Sequence, residues 1–461
     1  MLKKEVIKEL KQSGGKHLAD LVEEHSHNIG ELVFILENLG ALPASFDAGW
    51  MLPLLKHDNE TVRYWIVKNI GKLHSQEYLQ LLYDIVQNDR STIVRREAVS
   101  SIGRMRNEQS IPILLDILGN SDPKIVCQAI RGLLVFKGRN LVDNALRCMI
   151  NNENEVIRTI IYKEYFATNN HDNHRLPHTE TYDFLKNVVV NSDVRDILSL
   201  IPEDSIHLTF TSPPYYNARD YSIYPSYDAY LKFLQEVFEQ TYRVTKEGRF
   251  LIVNTSPVII PRISRSHSSK RYPIPFDLHH ILTQIGWEFI DDIIWEKPES
   301  SVKNRIGGFQ QHRKPLAYKP NARTEYLMVY RKQTDKLLDW NIKQYDTQTV
   351  NDSKVQDGFE SSNIWQRCPR SDNIHSAIFP PELCKRVVEY YSFKGDLIFD
   401  PFAGSGTLGR VAKKLGRNFF LTEKDEAYFQ YMQTGRHNHT LFEDDGTKFL
   451  TLRQFKKSTK Q

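Results

Sequence analysis

Ser212 follows an apolar run, Ile206-His207-Leu208-Thr209-Phe210, and opens the segment Ser212-Pro213-Pro214-Tyr215. The two prolines donate no backbone N–H and stiffen the turn. The segment therefore offers acceptors, the Ser212 hydroxyl and the Pro213 carbonyl, with an aromatic ring beside them. Nearly two hundred residues later Asp400 ends a second apolar run, Leu397-Ile398-Phe399, and leads into Pro401-Phe402-Ala403-Gly404-Ser405-Gly406-Thr407-Leu408-Gly409. From Gly404 to Gly409 this reads G-x-G-x-x-G between a predicted strand and a predicted helix, where glycines let a nucleotide cofactor approach a helix N-terminus. Glu423 ends the next apolar run, seventeen residues after Gly406. That spacing also suits a nicotinamide dinucleotide, with the acid on the ribose. Asp400, four residues ahead of Gly404, puts a carboxylate at the same strand end, where it is suited to a cationic group.

A third segment, His375-Ser376-Ala377-Ile378-Phe379-Pro380-Pro381-Glu382-Leu383, lies just upstream. It resembles the H-x-A-x-F-P-x-E-L segment of the amino-methylating DNA methyltransferases. Asp400 to Thr407 resembles their S-adenosylmethionine loop, D-P-F-x-G-S-G-T, and Ser212 to Tyr215 resembles their catalytic motif. The catalytic motif comes first in the chain, which resembles the circularly permuted β-class of that family. The resemblance covers roughly residues 187–428, about half the chain, and implies S-adenosylmethionine as cofactor. It implies that Asp400, Phe402, Gly404, Ser405, Gly406 and Thr407 hold the cofactor from the loop. His375, Ala377, Phe379 and Pro380 would line it, Glu423 would hold its ribose, and Asp193 resembles the acidic turn near the adenine.

The resemblance also implies the chemistry. An exocyclic amine of cytosine or adenine is a poor nucleophile, because its lone pair is delocalised into the ring. Acceptors on both amino hydrogens draw the nitrogen towards a tetrahedral shape, and Ser212 Oγ with the Pro213 carbonyl would supply them through rigid placement. The base must leave the duplex stack to arrive there, and Tyr215 offers it a face, with Tyr216 and Tyr221 closing the other side. Within the family S-P-P-Y usually accompanies transfer to N4 of cytosine, and D-P-P-Y or N-P-P-Y transfer to N6 of adenine. The expectation is a site-specific N4-cytosine methyltransferase on double-stranded DNA, paired with a cognate restriction endonuclease in a prokaryotic cytoplasm. The N6-adenine reaction is the alternative.

Reading a sequence needs side chains that reach base edges, arginine on guanine being the commonest. Three segments are candidates: about 259–275, with Arg262, Arg265, Lys270 and Arg271; about 299–323, with Lys303, Arg305, Arg313 and Lys314; and 335–372. From Glu296 to Lys336 ten Lys or Arg face four Asp or Glu, a local excess suited to phosphate contact.

These residues need a scaffold. From Lys186 onward short apolar runs (Val188-Val190, Ile206-Phe210, Phe250-Val253, Asp292-Trp295, Tyr326-Tyr330, Leu397-Phe399, Phe419-Leu421) alternate with amphipathic stretches at Tyr227-Tyr242, Phe276-Ile285 and Pro381-Tyr391. That alternation predicts an α/β fold with a mostly parallel, doubly wound, Rossmann-like sheet, placed at 179–461. Ligands of such sheets sit at the carboxyl ends of the strands near the topological switch point, where both motifs fall.

The first third is different. Val62, Val94 and Val126 recur at 32 residues and Val156 follows after 30, each in a similar frame behind polar turn residues. Gly71, Gly103 and Gly132 recur in the helices that follow. A period near thirty with helical apolar spacing predicts an all-α solenoid, placed at 1–168, and residues 46–166 resemble HEAT repeats. The Asn or Asp before each helix is suited to cap it. The array is expected to be a DNA-binding arm using Arg63, Lys68, Arg95, Arg96, Arg104, Lys124 and Arg131, or else a packing or dimer module.

The 461 residues allow two or three domains, and 40% hydrophobic with 26% charged residues fits a water-soluble chain. No apolar run nears the roughly 20 residues of a membrane span. Four cysteines, with no C-x-x-C pair, support neither a metal knuckle nor a disulfide framework. Two other function classes compete: a nicotinamide-dependent oxidoreductase built on the glycine loop, and a non-catalytic solenoid scaffold on a decayed fold. The first leaves Ser212-Tyr215 and His375-Leu383 without a role, and the second predicts motif damage that the sequence does not show.

Overall fold

The structure is a computed structural model that describes residues 2–12, 15–43, 46–166, 176–217, 224–260, 264, 266, 269–302, 315–316, 320–369, 379–434 and 446–459. The chain divides into two compact units, residues 1–170 and 171–461.

The first unit is helical. Its repeat is set by caps: Asn59 and Asn154 each accept two backbone N–H groups of the helices they precede, and Asp122 accepts one. Ser91 holds the same position without a side-chain cap. Capping by such side chains stabilises a helix by about 1 kcal/mol. The third residue past each cap, Val62, Val94, Ile125 and Ile157, is buried. Val156, expected in that stripe, is instead 59% exposed, because the buried frame counts from the cap and reaches Ile157.

Successive repeats are locked by polar contacts as well as by the apolar core. Arg63 pairs with Asp89 at 2.9 Å and Arg96 with Asp122 at 2.9 Å, the same register 33 residues apart. Gly103 and Gly132 face each other so closely that a Cβ on either would lie 3.0 Å from the other's Cα. The recurring glycines are therefore helix-contact positions. Of the arginines expected on DNA, Arg63 is 3% exposed, Arg96 is paired, and Arg104 is paired with Glu97 at 2.9 Å. Arg63 is buried and paired between repeats, which removes it from the expected phosphate contacts; Arg96 ties two repeats together, and Arg104 pairs within its own helix.

The second unit is built on one nine-stranded sheet and one hairpin. In chain order the strands are β1 (Val188–Asn191), β2 (Ile206–Thr211), β3 (Thr245–Thr255), β4 (Val258–Ile260), β5 (Lys270–Tyr272), β6 (Trp287–Glu296), β7 (Thr324–Lys332), β8 (Ile364–Gln366), β9 (Leu397–Asp400), β10 (Asn418–Glu423) and β11 (Lys448–Thr451). The sheet order is β11-β1-β10-β9-β2-β3-β7-β6-β8, and β4 with β5 form the antiparallel hairpin. From β11 to β3 all pairs are parallel; β7 is antiparallel to both β3 and β6.

Helices cover both faces, as a buried parallel sheet requires. Helices Pro381–Tyr391, Thr407–Lys414 and Glu426–Thr434 pack on one face through Leu383, Val387, Leu408, Ala412, Phe429 and Met432. Helices Val194–Leu198, Tyr227–Val244, Ile274–Ile285 and Leu452–Ser458 pack on the other. This is a Rossmann-like doubly wound fold preceded by helical repeats. From β9 the chain winds outward in one direction through β10, and from β2 in the other through β3. The switch point lies between β9 and β2, which register through Leu208↔Ile398 and Thr209↔Phe399.

One candidate reading segment is relocated by the fold. In the 335–372 region, Asn341 donates to the Gly248 carbonyl at 3.0 Å, Tyr345 hydrogen-bonds Asp396, and Ser353 Oγ accepts the Lys394 N–H at 2.9 Å. Gly248 lies near the start of β3, and Asp396 immediately precedes β9. Residues 341–353 therefore brace the amino ends of the strands, away from Ser212, and cannot read bases at the carboxyl-end crevice. β8, paired with the last residues of β6, runs back towards that end.

Candidate active site

A single hydrogen bond ties the two key segments together. Thr211, the last residue of β2, donates its hydroxyl to Asp400 Oδ1 at 2.7 Å, across the switch point from the end of β9. Ser212 and the glycine loop therefore open on the same crevice, as expected for ligands of an open α/β sheet. The Phe402 N–H also donates to Oδ1, at 3.0 Å. Among the described residues no donor reaches Oδ2 and no lysine or arginine pairs with this carboxylate.

Asp400 is 2% exposed, and burial pushes its pKa up to about 7 against the opposite pull of its two donors. A buried carboxylate in this state strongly favours a cation. Glu423, at the end of β10, is also pushed up to about 7, chiefly by burial, with the charges of Asp425 and Asp400 adding to it. Its Oε2 accepts the Gly404 N–H at 2.7 Å and its Oε1 the Asp425 N–H at 2.8 Å. Glu423 thus clamps the glycine loop to the next strand end.

The loop needs its glycines. Gly404 has φ +54° and Gly406 φ +76°, left-handed conformations that other residues adopt at a cost. Gly406 is the cap position of helix Thr407–Lys414. Ser405 and Thr407 are buried, their hydroxyls 3.3 Å apart.

The remaining residues expected at the cofactor sort into three groups. Phe379 stacks on Phe210 of β2 with ring centroids 4.5 Å apart, and Pro380 is buried at the start of helix Pro381–Tyr391. Phe402 packs its ring against Phe233 at 5.9 Å while its N–H holds Asp400. Asp193 caps helix Val194–Leu198 and is bound by Arg195 at 3.0 Å, which holds its pKa below the usual carboxylate value despite burial. It sits one residue from Ser192, whose N–H donates to the Glu423 carbonyl at 3.1 Å, so it lies beside the crevice with its charge already paired. His375 and Ala377 lie outside the described residues.

At the catalytic segment Pro213 is buried, and Ser212, Pro214 and Tyr215 are half-buried. Ser212 Oγ accepts Asn254 Nδ2 at 3.3 Å. Asn254, near the end of β3, also donates to Glu325 Oε2 at 2.6 Å and approaches the Tyr215 hydroxyl at 3.4 Å. The Tyr215 hydroxyl donates to Glu325 Oε2 at 2.9 Å, and Lys297, just past β6, pairs with Glu325 Oε1. Burial, and then the Glu325 charge, push the Tyr215 phenol well up, while the Ser212 and Ser256 hydroxyls pull it the other way. Asn254, Glu325 and Lys297 are absent from the sequence-based expectations.

Tyr216 departs from expectation. It is 7% exposed, packed between Tyr227, Tyr230 and Tyr272 at 4.8–5.6 Å between centroids. Its ring fills a core and is not available to close a pocket over a flipped base. Lys270 and Arg271 are exposed on β5, with Lys270 lying over the Tyr272 ring at 4.8 Å. Tyr221, Arg262, Arg265, Lys303, Arg305, Arg313 and Lys314 lie outside the described residues.

Residues 206–434 match the N6/N4 DNA methylase family model, and residues 48–135 match a family of HEAT repeats. The chain is 26% identical over 242 residues to the Type II beta methyltransferase M.BslI of Bacillus sp. (strain NEB-606), covering 50% of this chain and 25% of that one. It is 25% identical over 287 residues to the Type II methyltransferase M.Cfr9I of Citrobacter freundii, covering 55% of this chain and 89% of that one. The chain thus spans a quarter of the length of the first relative and most of the second. Among solved structures, the PvuII DNA methyltransferase (cytosine-N4-specific) aligns over 60% of this chain and 98% of its own, with 18% identity and a TM-score of 0.42.

Proposed function

From the membership of residues 206–434 in the N6/N4 DNA methylase family, we propose that this chain transfers a methyl group from S-adenosylmethionine to an exocyclic amino nitrogen of a base in double-stranded DNA. The observation that carries this reading is the Thr211–Asp400 hydrogen bond. It puts the acceptor-rich turn at Ser212 and an uncompensated buried carboxylate on one crevice.

The residues fit the cofactor. Asp400 Oδ2 has no donor among the described residues and would receive the ammonium group, and Glu423 would accept from the ribose hydroxyls with its remaining lone pairs. The bound cofactor supplies an electrophilic methyl on a sulfonium. The protein supplies orientation: Ser212 Oγ and the Pro213 carbonyl accept the amino hydrogens, and the base leaves the stack to reach them. Lys270 and Arg271 are exposed for phosphate contact, which positions DNA without specifying sequence.

The target we infer is N4 of cytosine, because the acceptor at the head of the motif is Ser212. In this reading the enzyme modifies one DNA sequence in the cytoplasm and protects it from a cognate restriction endonuclease. Methylation-sensitive sequencing of DNA from cells expressing the chain tests base, atom and recognition sequence together. N4-methylcytosine at a recurring sequence is expected. N6-methyladenine would overturn the choice of base, and unmodified DNA would overturn the function.

A further inference from the structure

Behind Ser212 lies a cluster of polar groups. The Ser212 hydroxyl and the Tyr215 phenol share one donor, Asn254 Nδ2, at 3.3 and 3.4 Å; the phenol donates to Glu325 Oε2 at 2.9 Å, and Lys297 holds Glu325 Oε1. Asn254 braces it from the side, donating at 2.6 Å to Glu325 and at 3.3 Å to Ser212. Four separate elements converge here: the turn after β2, the end of β3, the start of β7 and the residue after β6. Asn254 is 2% exposed, and its Oδ1 is buried without a partner among the described residues. Leaving such an atom unsatisfied is costly. The amide is therefore held here for its donors, despite its orphaned oxygen.

The direction of the hydrogen bonds matters. Glu325 only accepts, and Tyr215 donates to it. The phenol oxygen lies beside the Ser212 hydroxyl, since both accept from the same Asn254 amide. Each member can therefore receive a proton from one side and release one to the other. Methyl transfer to an exocyclic amine creates a need for this, because the nitrogen that gains a methyl must lose a proton. Ser212, if it only accepts a hydrogen bond, has nowhere to send that proton.

We propose that Glu325, acting through Tyr215, is the terminal proton acceptor for the amine that Ser212 engages. The proposal rests on the amino-methyl transfer described above. The N–CH₃ bond forms as the S–CH₃ bond of the sulfonium donor breaks, and the electron pair of the broken bond stays on sulfur. The amine proton passes to Ser212 Oγ, the Ser212 proton to Tyr215, and the Tyr215 proton to Glu325 Oε2, which becomes a neutral acid. Lys297 fixes the other carboxylate oxygen, and the proton later leaves to solvent through the partly exposed Glu325 side chain, which is 13% exposed. Glu325 and Asn254 are positioning residues, since both act through Ser212 and Tyr215.

The test uses the full chain with S-adenosylmethionine and unmethylated bacterial genomic DNA. Glu325→Gln removes the terminal base but keeps a side chain of the same shape. Tyr215→Phe keeps the ring and removes the link. Single-turnover methylation is expected to fall at least tenfold in each, with dissociation constants for cofactor and DNA within threefold of the wild-type values. The double variant is expected to be no slower than the slower single one, because groups in series share one effect. The wild-type solvent deuterium effect is expected to bow with deuterium fraction, as more than one moving proton requires, and to lose that curvature in Tyr215→Phe. Wild-type rates in both variants, multiplicative losses in the double variant, or an unchanged isotope profile would each overturn the relay. A wild-type enzyme that methylates no DNA would instead overturn the function on which the relay rests.

Discussion

Replacing Asp400 by asparagine should make the empty protein more stable and its cofactor binding weaker. Asp400 is buried, takes both its donors on Oδ1, and has its pKa raised from 3.8 to about 7 by burial. A displacement of that size corresponds to about 4 kcal/mol of disfavoured ionisation. Because the folded value lies above the unfolded one, the fold holds more protons than the unfolded chain between about pH 4 and pH 7. Stability therefore falls as pH rises through that window, and the full cost is present above pH 7. Asparagine carries no charge and keeps the Oδ1 acceptor for Thr211 and Phe402. Its amide N–H₂ costs about 1–3 kcal/mol where it lacks a partner. The net gain at pH 8 is then about 1–3 kcal/mol, or roughly 2–5 °C in the Tm of the second unit. Calorimetry at pH 8 and pH 4.5 measures it, and the gain should shrink or reverse at the lower pH, where the wild-type carboxyl is protonated. Titration with S-adenosylmethionine should show at least a tenfold loss of affinity. A variant less stable than wild type at pH 8, or a gain that ignores pH, would refute the claim that this carboxylate waits for a cation.

Other perturbations separate the remaining roles. Ser212→Ala should leave S-adenosylmethionine affinity intact and lower methyl transfer by roughly 10²–10³, the loss seen when one preorganised hydrogen-bonding group leaves an active site; unchanged single-turnover rates would make Ser212 structural only. Arg63→Met strands the nearly buried Asp89 carboxylate, which should cost about 3–5 kcal/mol in the first unit by chemical denaturation, and adding Asp89→Leu should recover most of it. Lys270→Ala with Arg271→Ala should lower the slope of log K against log salt for DNA binding by about 0.9 for each phosphate that loses its cationic partner, without altering the sequence modified.

Much of this architecture is legible because hydrophobic periodicity survives in the sequence. The runs at Val188-Val190, Ile206-Phe210, Leu397-Phe399 and Phe419-Leu421 are the inner parallel strands, buried on both faces. The short outer strands β8 and β11 are not legible, since Ile364-Trp365-Gln366 and Lys448-Phe449-Leu450-Thr451 are half exposed and carry no run. Val156 misleads for a related reason. Counting a fixed period from valine to valine places it inside, whereas the fold counts from the cap, and Asn154 puts Ile157 there instead. At the site, Asp400 and Ser212 are visible because each ends an apolar run. Asn254, Glu325 and Lys297 also flank such runs, but they come from three strands, and only the sheet order β2-β3-β7-β6 brings them behind Ser212. Tyr216 follows Tyr215 in sequence but does not share its role. Its side chain is buried among Tyr227, Tyr230 and Tyr272, whereas the Tyr215 hydroxyl reaches Glu325.

The most direct measurement is nucleoside analysis of unmethylated bacterial genomic DNA incubated with the purified chain and S-adenosylmethionine labelled in its methyl group. After digestion, mass spectrometry should find the label in N4-methylcytosine, with Ser212→Ala lowering it by at least a hundredfold at equal cofactor occupancy. Label absent from every exocyclic amine, or equal in the Ser212→Ala variant, would contradict the claim that the crevice between β2 and β9 is an amino-methyl transfer site.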